Sequence, residues 1–280
     1  MPKETTKSEP PGGVLATTDA SNHALAAVDY AARLAARLGA DLTLLKTRHL
    51  KSRADIMVNR IEDILEEDDL EHLEAMRERV QSNLPAEVEV KTLAIQALPH
   101  DFIPRYAEEI DAGLIVMGTK GASAAPKIFF GSTTARVIRQ TERPVIAVPL
   151  EAPETLQRIG IAFEKNTRPN DDALELLRRL ATAHDAELVA LHVGDAPSAI
   201  ECRKVVQDFQ ERLGEGEVHL KRIEPQHTFE EDLATIVREL DVDLLCMVRG
   251  HHSALGDLLG GSATLRQAFD SPVPLLVLHC

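Results

Sequence analysis

The sequence is poor in cysteine and has no long apolar run. Its three cysteines, Cys202, Cys246 and Cys280, are far apart, and no two are spaced as C-x-x-C. A disulfide framework or a zinc ribbon is therefore not expected. No apolar stretch reaches the roughly 18 residues that a membrane-spanning helix needs. Residues 1–12 are polar without an apolar signal-peptide core, which predicts a disordered lead and a cytoplasmic protein.

Positive charge is also in short supply. Lysine and arginine total 31 against 45 aspartates and glutamates, a net charge of −14. This balance argues against a general nucleic-acid binder, because a phosphate backbone would be repelled. The deficit is uneven, since residues 1–150 hold 18 basic and 22 acidic residues whereas residues 151–280 hold 13 and 23. The first half is the better suited to an anionic ligand.

Catalytic signatures are missing as well. The P-loop pattern G-x4-G-K-[ST] does not occur, nor does a GxSxG elbow, a zinc-protease helix or a Ser/His/Asp arrangement. No catalytic residue is therefore predicted. The adjacent His251 and His252 lack acidic or cysteine partners at metal-ligand spacing, so we expect solvated loop histidines and no metal site.

An internal repeat is present. Residues 111–148 align with residues 241–278 at a constant offset of 130 without a gap. Identical pairs include Leu114/Leu244, Met117/Met247, Ser123/Ser253, Gly131/Gly261, Ser132/Ser262, Thr134/Thr264 and Pro144/Pro274. Unrelated segments would not keep register over this length, so we predict a tandem duplication with domains at 13–150 and 157–280.

Each copy has short apolar segments alternating with helical periodicity. The strands predicted in the first copy are 14–18, 42–47, 88–95, 114–117 and 145–148, with helices at 24–38, 56–80, 102–110 and 133–139. The strands predicted in the second copy are 159–163, 188–193, 218–223, 244–248 and 275–278, with helices near 172–183, 198–213, 229–240 and 263–269. This alternation predicts an α/β fold with two doubly wound, five-stranded parallel sheets.

A glycine pattern follows the fourth strand of the first copy. Gly118, Gly121, Gly131 and Ser132 form G-x2-G-x9-G-S. Bare backbone at the two leading glycines leaves room for a sugar and turns amide groups towards phosphate. Gly131 and Ser132 open a helix whose free N–H groups favour an anion, and the hydroxyl of Thr133 adds a donor. Lys120 and Lys127 are available for a terminal phosphate.

A second polar segment, Thr17-Thr18-Asp19, ends the first strand. In an open parallel sheet, ligands bind outside the carboxyl ends of the strands where the strand order reverses. If strands one and four are neighbours, Asp19 faces Gly118 there and can accept hydrogen bonds from a ribose or a base. The alternatives are plain turns after the strands, with Asp19 as the N-cap of the next helix.

The segments Val14–Ser21, Leu38–Leu45, the glycine pattern and Arg143-Pro144-Val145 resemble the universal stress protein family. The resemblance covers nearly the whole chain as a tandem pair. It implies strand order 3-2-1-4-5, binding of ATP or AMP, and pairing of the two domains through their last strands. It also implies adenine and ribose contacts at Thr17, Thr18, Asp19, Thr47, Met117 and Gly118, and phosphate contacts at Gly121, Gly131, Ser132 and Thr133. Thr17 stands where members often have proline, and Lys46 where histidine is common.

The second copy departs from the motif. Gly118 becomes Val248, Gly121 becomes His251, Lys120 becomes Gly250 and Lys127 becomes Asp257. Phe163 ends the first strand of this copy and can fill an adenine space. We therefore expect a regulatory stress-response protein that holds ATP, with Mg²⁺, or ADP or AMP, in the first domain alone. The alternatives are a slow ATPase and a nucleotide-free scaffold with another ligand in the second domain. A homodimer is optional, and the protein target is not predicted.

Overall fold

The computed structural model describes residues 12–48, 59–119, 132–163, 170–193, 207, 209–213, 218–223, 229–249 and 273–279. Its strands are β1 (Val14–Thr18), β2 (Leu42–Arg48), β3 (Val90–Gln96), β4 (Leu114–Gly118), β5 (Val145–Val148), β6 (Arg158–Phe163), β7 (Glu187–Val193), β8 (Val218–Ile223), β9 (Leu244–Arg249) and β10 (Leu275–His279). Its helices are α1 (Asn22–Leu38), α2 (Asn59–Gln81), α3 (Pro99–Glu109), α4 (Ser132–Gln140), α5 (Asp171–His184) and α6 (Phe229–Glu239). Residues 209–213 are helical too, whereas the helix predicted at 263–269 lies outside the described residues. In the described part of the chain, no helix combines the length and apolar character needed to cross a bilayer.

The ten strands of the described residues join one sheet in the order β3-β2-β1-β4-β5-β10-β9-β6-β7-β8. Neighbouring strands are parallel within β1–β5 and within β6–β10. Each half therefore has the order 3-2-1-4-5, and the predicted fold class is confirmed. β3 and β8 form the two outer edges, and six of the seven residues of β3 are exposed or half-buried, which suits its edge position.

The two halves meet where β5 and β10 pair antiparallel. Val145 lies opposite Val277, Ile146 opposite Leu276, and Ala147 opposite Leu275. All of these side chains are fully buried. Two apolar strand edges that would be prone to aggregation if exposed thus cover each other within one chain. Because this junction is antiparallel, the carboxyl ends of the strands in the second half lie on the opposite side of the sheet, along the strand direction, from those in the first half.

Helices cover both faces of this sheet. Buried residues of α1 and α2 share a core with those of α5 on one face, including Leu34, Leu73 and Leu177. Those of α3 and α4 share the opposite core with α6, including Ile103, Ile138 and Ile236. In the first half, α1, which follows β1, and α4, which follows β4, therefore lie on opposite faces, which leaves a crevice where β1 and β4 end.

The two halves repeat the same turns. Asp111 and Asp241, 130 residues apart, both adopt left-handed φ angles near 50°. The next residue in each half donates to the helix, Ala112 N to Ala107 O and Val242 N to Val237 O, at 2.8 and 3.0 Å. The offset that relates the sequences thus also relates main-chain hydrogen bonds.

Helix ends differ from expectation where local capping decides them. α1 begins at Asn22 because the hydroxyl of Ser21 accepts from Ala24 N and caps the helix. α3 begins at Pro99, three residues before the predicted start, because proline is favoured in the first turn of a helix. Gly39 ends α1 as predicted, with a φ of 63°.

Candidate functional site

The carboxyl ends of β1 and β4 lie side by side in the middle of the first half. Ala16 is the register partner of Val116, and both strands continue for two more residues. On the other side of β1, Thr18 is the partner of Lys46 on β2. The predicted residues at the ends of β1, β2 and β4 are therefore brought to one edge of the sheet.

The segment after β1 is held by its own side chains. Thr17 and Thr18 are buried, and the hydroxyl of Thr18 accepts from Ala20 N at 3.1 Å. Asp19 is exposed, and its carboxylate accepts from Ser21 N at 3.1 Å. The N-cap of α1 is Ser21 and not Asp19, so the alternative that Asp19 caps the helix is wrong. Ala20 adopts a φ of 61°, and the chain turns sharply from β1 into α1.

Gly118 has a packing reason as well as a ligand reason to lack a side chain. A Cβ at this position would lie 2.9 Å from the carbonyl oxygen of His23 and 3.2 Å from the nitrogen of Ala24. Both atoms belong to the main chain of the first turn of α1, which cannot swing aside as a side chain can. Bare backbone at Gly118 therefore lets α1 begin directly against the end of β4. The sequence alone suggested only access for a sugar.

The carbonyl of Gly118 is also engaged. The Thr134 hydroxyl on α4 donates to it at 2.9 Å, and Thr134 is only 3% exposed. The following amide, Thr119 N, donates to Val148 O of β5 at 2.9 Å. Sequence reasoning missed this role of Thr134, although the pairing of Thr134 with Thr264 in the repeat is a signal that could have drawn attention to it.

The other predicted residues divide into three groups. Ser132 is exposed and Thr133 half-buried at the start of α4, where helix N–H groups lack partners within the helix. Met117 packs in the core on the α3–α4 face, so it offers only main chain to the crevice. Lys120, Gly121 and Gly131 lie outside the described residues, as does Lys127.

The end of β2 carries a half-buried cation. The ammonium group of Lys46 lies 2.6 Å from the carboxylate of Asp69 on α2, and the Lys46 side chain is 13% exposed. The neighbouring Thr47 is half-buried. The ion pair fixes Lys46 beside the crevice, at the position where the family resemblance led us to expect histidine.

Comparison with known protein families gives a match to the first half of the chain. A profile of the universal stress protein family matches residues 13–149. These residues belong to the universal stress protein family.

One relative and one solved structure are similar to this chain over nearly its whole length. A universal stress protein of Synechocystis sp. is 24% identical over 290 residues, which cover 95% of this chain and 99% of the relative. One from Methanocaldococcus jannaschii is 34% identical over 59 residues, and the match spans 36% of that protein. The crystal structure of a universal stress protein from Archaeoglobus fulgidus superposes with a TM-score of 0.74 at 21% identity, covering 96% of this chain and 98% of that one. The structural likeness shows the fold.

The second half arranges the corresponding elements differently from this universal stress protein segment. Its register aligns Ile159 with Leu244 as Val14 aligns with Leu114, which makes Val248 the counterpart of Gly118. Val248 is buried, with 4% exposure. Six residues separate β6 from the N-cap Asn170, against two between β1 and Ser21. Residues 250–272, including His251, His252 and Asp257, lie outside the described residues, as do 164–169 and Cys280.

Proposed function

We propose that the first half binds an adenine nucleotide in the crevice between β1 and β4, and that the occupied and empty states differ in the surface offered to a protein target. The observation that carries this proposal is the convergence of two helix starts on one bare glycine. α1 begins against Gly118, and α4 is bonded to the same residue through Thr134. A helix start favours anions because its N–H groups and dipole both present partial positive charge.

The polar groups along the crevice suit different parts of the nucleotide. Thr17, Thr18 and Asp19 at the end of β1, with Thr47 at the end of β2, are assigned to the adenine and ribose. Ser132 and Thr133, with Gly121 and Gly131 from the sequence motif, are assigned to the phosphates. ATP is the proposed ligand, with Mg²⁺ bound to its phosphates, and ADP or AMP would use the same ribose contacts. Universal stress protein membership of residues 13–149 supports the assignment.

We assign no nucleotide to the second half. A valine replaces Gly118, so two methyl groups stand where bare backbone is needed. The motif also has His251 for Gly121 and Asp257 for Lys127, and the second of these changes would repel phosphate. The stoichiometry expected for the whole chain is therefore one nucleotide.

Titration calorimetry on the intact protein tests the proposal. ATP, ADP, AMP and GTP are titrated with and without Mg²⁺, and one site selective for adenine is expected. Gly121→Asp should abolish binding by placing a carboxylate against the phosphates. Gly160→Ala is the control for a general loss of fold stability. Its added methyl would lie 2.9 Å from the Leu191 side chain, so it disturbs packing in the second half, away from the crevice. Absence of heat with every adenine nucleotide, or uptake that survives Gly121→Asp, would contradict the proposal.

The proposed function is nucleotide binding, and ATP hydrolysis is measured on the same samples. Phosphate release from ATP should be no faster with the wild type than with Gly121→Asp, because no carboxylate is placed by sequence to activate a water. A faster wild-type rate would favour the slow ATPase. Light scattering on these samples then gives the oligomeric state. The edges of β5 and β10 pair with each other within one chain, so they are not open for pairing with a second chain.

A further inference from the structure

Three separate contacts meet at the end of β4, two of them at Gly118 and one at the amide of Thr119. The first turn of α1 lies against the Cα of Gly118, the Gly118 carbonyl accepts from Thr134 of α4, and the next amide is bonded to β5. The two helices that begin at the crevice are thus both attached to a single residue of β4. A shift of either attachment changes the distance between the two helix starts.

Thr134 makes one of these attachments with a side chain that is well placed and buried. It is the third residue of α4, 3% exposed, and its bond to Gly118 spans 16 positions in the sequence. A threonine hydroxyl in a helix often bonds a carbonyl of its own helix instead. Here it reaches across to the strand, so it ties the first turn of α4 to the end of β4.

The second half has a different attachment at the corresponding place. Val248 replaces Gly118, the connection before α5 is four residues longer, and Asn170 N donates to His279 O of β10 at 3.3 Å. The start of α5 is therefore fastened to the last strand, whereas the start of α1 rests on β4. Within the described residues, the close approach of a helix start to a bare glycine of the fourth strand is observed in the half that retains the glycine motif.

We propose that Thr134 is a positioning residue for the nucleotide crevice, acting through the Gly118 carbonyl to hold the start of α4 at the distance from α1 that the phosphates require. This inference rests on the proposed function. Thr134 does not touch the nucleotide in this scheme. Its hydroxyl fixes the helix whose first residues, Ser132 and Thr133, do.

The test compares three variants of the intact chain. Thr134→Val keeps the side-chain shape but removes the donor, and Thr134→Ser restores it. Thr141→Val is the matched control, because Thr141 is 1% exposed and its hydroxyl accepts from Arg143 N at 3.0 Å at the opposite end of α4, before β5. ATP affinity by calorimetry should fall about tenfold in Thr134→Val, recover in Thr134→Ser and stay within about twofold in Thr141→Val.

Hydrogen exchange without nucleotide separates this inference from the proposed function. Amides in the first turn of α4 should exchange faster in Thr134→Val than in Thr141→Val, whatever the ligand is. Wild-type binding that Thr134→Val leaves unchanged would overturn the inference while leaving the proposed function intact. Equal losses of affinity in both valine variants would also overturn it, because they would indicate a general effect on stability. A wild type that binds no adenine nucleotide would overturn both.

Discussion

His184, at the end of α5, should make the stability of the protein depend on pH. Its Nδ1 accepts from Leu156 N at 3.1 Å, so the imidazole is neutral and connects α5 to the segment that enters the second half. Burial and, secondarily, the Arg37 guanidinium of α1 lower the pKa of His184 to about 4. Arg37 is held in place by donating to the carbonyl oxygen of Ala183 at 3.2 Å. Protonation would remove the acceptor and add a second cation beside Arg37.

The direction follows from the two states. The unfolded chain takes up the proton near pH 6.5 and the folded chain only near pH 4, so the unfolded state binds more protons between these values. The contribution of His184 is fully present above pH 6.5 and is lost as the pH falls towards 4. The full pKa difference corresponds to about 3 kcal/mol at most. Because the side chain is only half-buried, solvent screening reduces this to about 1 kcal/mol between pH 7.5 and 5.

Urea unfolding at several pH values measures this effect. His184→Gln keeps a hydrogen-bond acceptor and does not titrate, so the difference in unfolding free energy between wild type and variant isolates the histidine. That difference should decline by about 1 kcal/mol from pH 7.5 to 5. Arg37→Gln should make the decline smaller, because the neighbouring positive charge is gone. A difference that is constant over this range, or that increases on acidification, would refute the reasoning.

Three further variants test stability. Gly39→Ala should lower the unfolding free energy by about 1 kcal/mol, since the added methyl meets no atom within 4 Å and only the left-handed φ of 63° is unfavourable. Asp185→Gly, at the matching helix end with a φ of 52°, should be neutral or raise it by up to about 0.5 kcal/mol, and losses of equal size in both variants would contradict the conformational explanation. Leu276→Ala removes a fully buried side chain opposite Ile146 at the β5–β10 junction and should cost about 3 kcal/mol in urea unfolding. A loss below about 1 kcal/mol would mean that the junction collapses around the smaller residue.

The sequence predicted most of the elements because their signals are local. β5 and β8 have the predicted bounds, and the end of α1 was predicted because glycine is typical of the residue that follows a helix. The start of α3 was missed because apolar periodicity becomes visible only at Phe102, after the proline of the first turn. The crevice was predicted from the glycine spacing, yet the contact of Gly118 with α1 was not, because it joins residues almost one hundred positions apart.

The sequence by itself determined the repeated α/β alternation, the apolar character of the last strands and the loss of the glycines in the second copy. These follow from side-chain period and residue type, which are properties of short segments. The tertiary structure alone decided that Thr134 bonds the end of β4, that Lys46 pairs with Asp69 and that α1 rests on Gly118. Each is a contact between distant segments, and it forms only once the parallel strand order has brought their ends to one edge of the sheet.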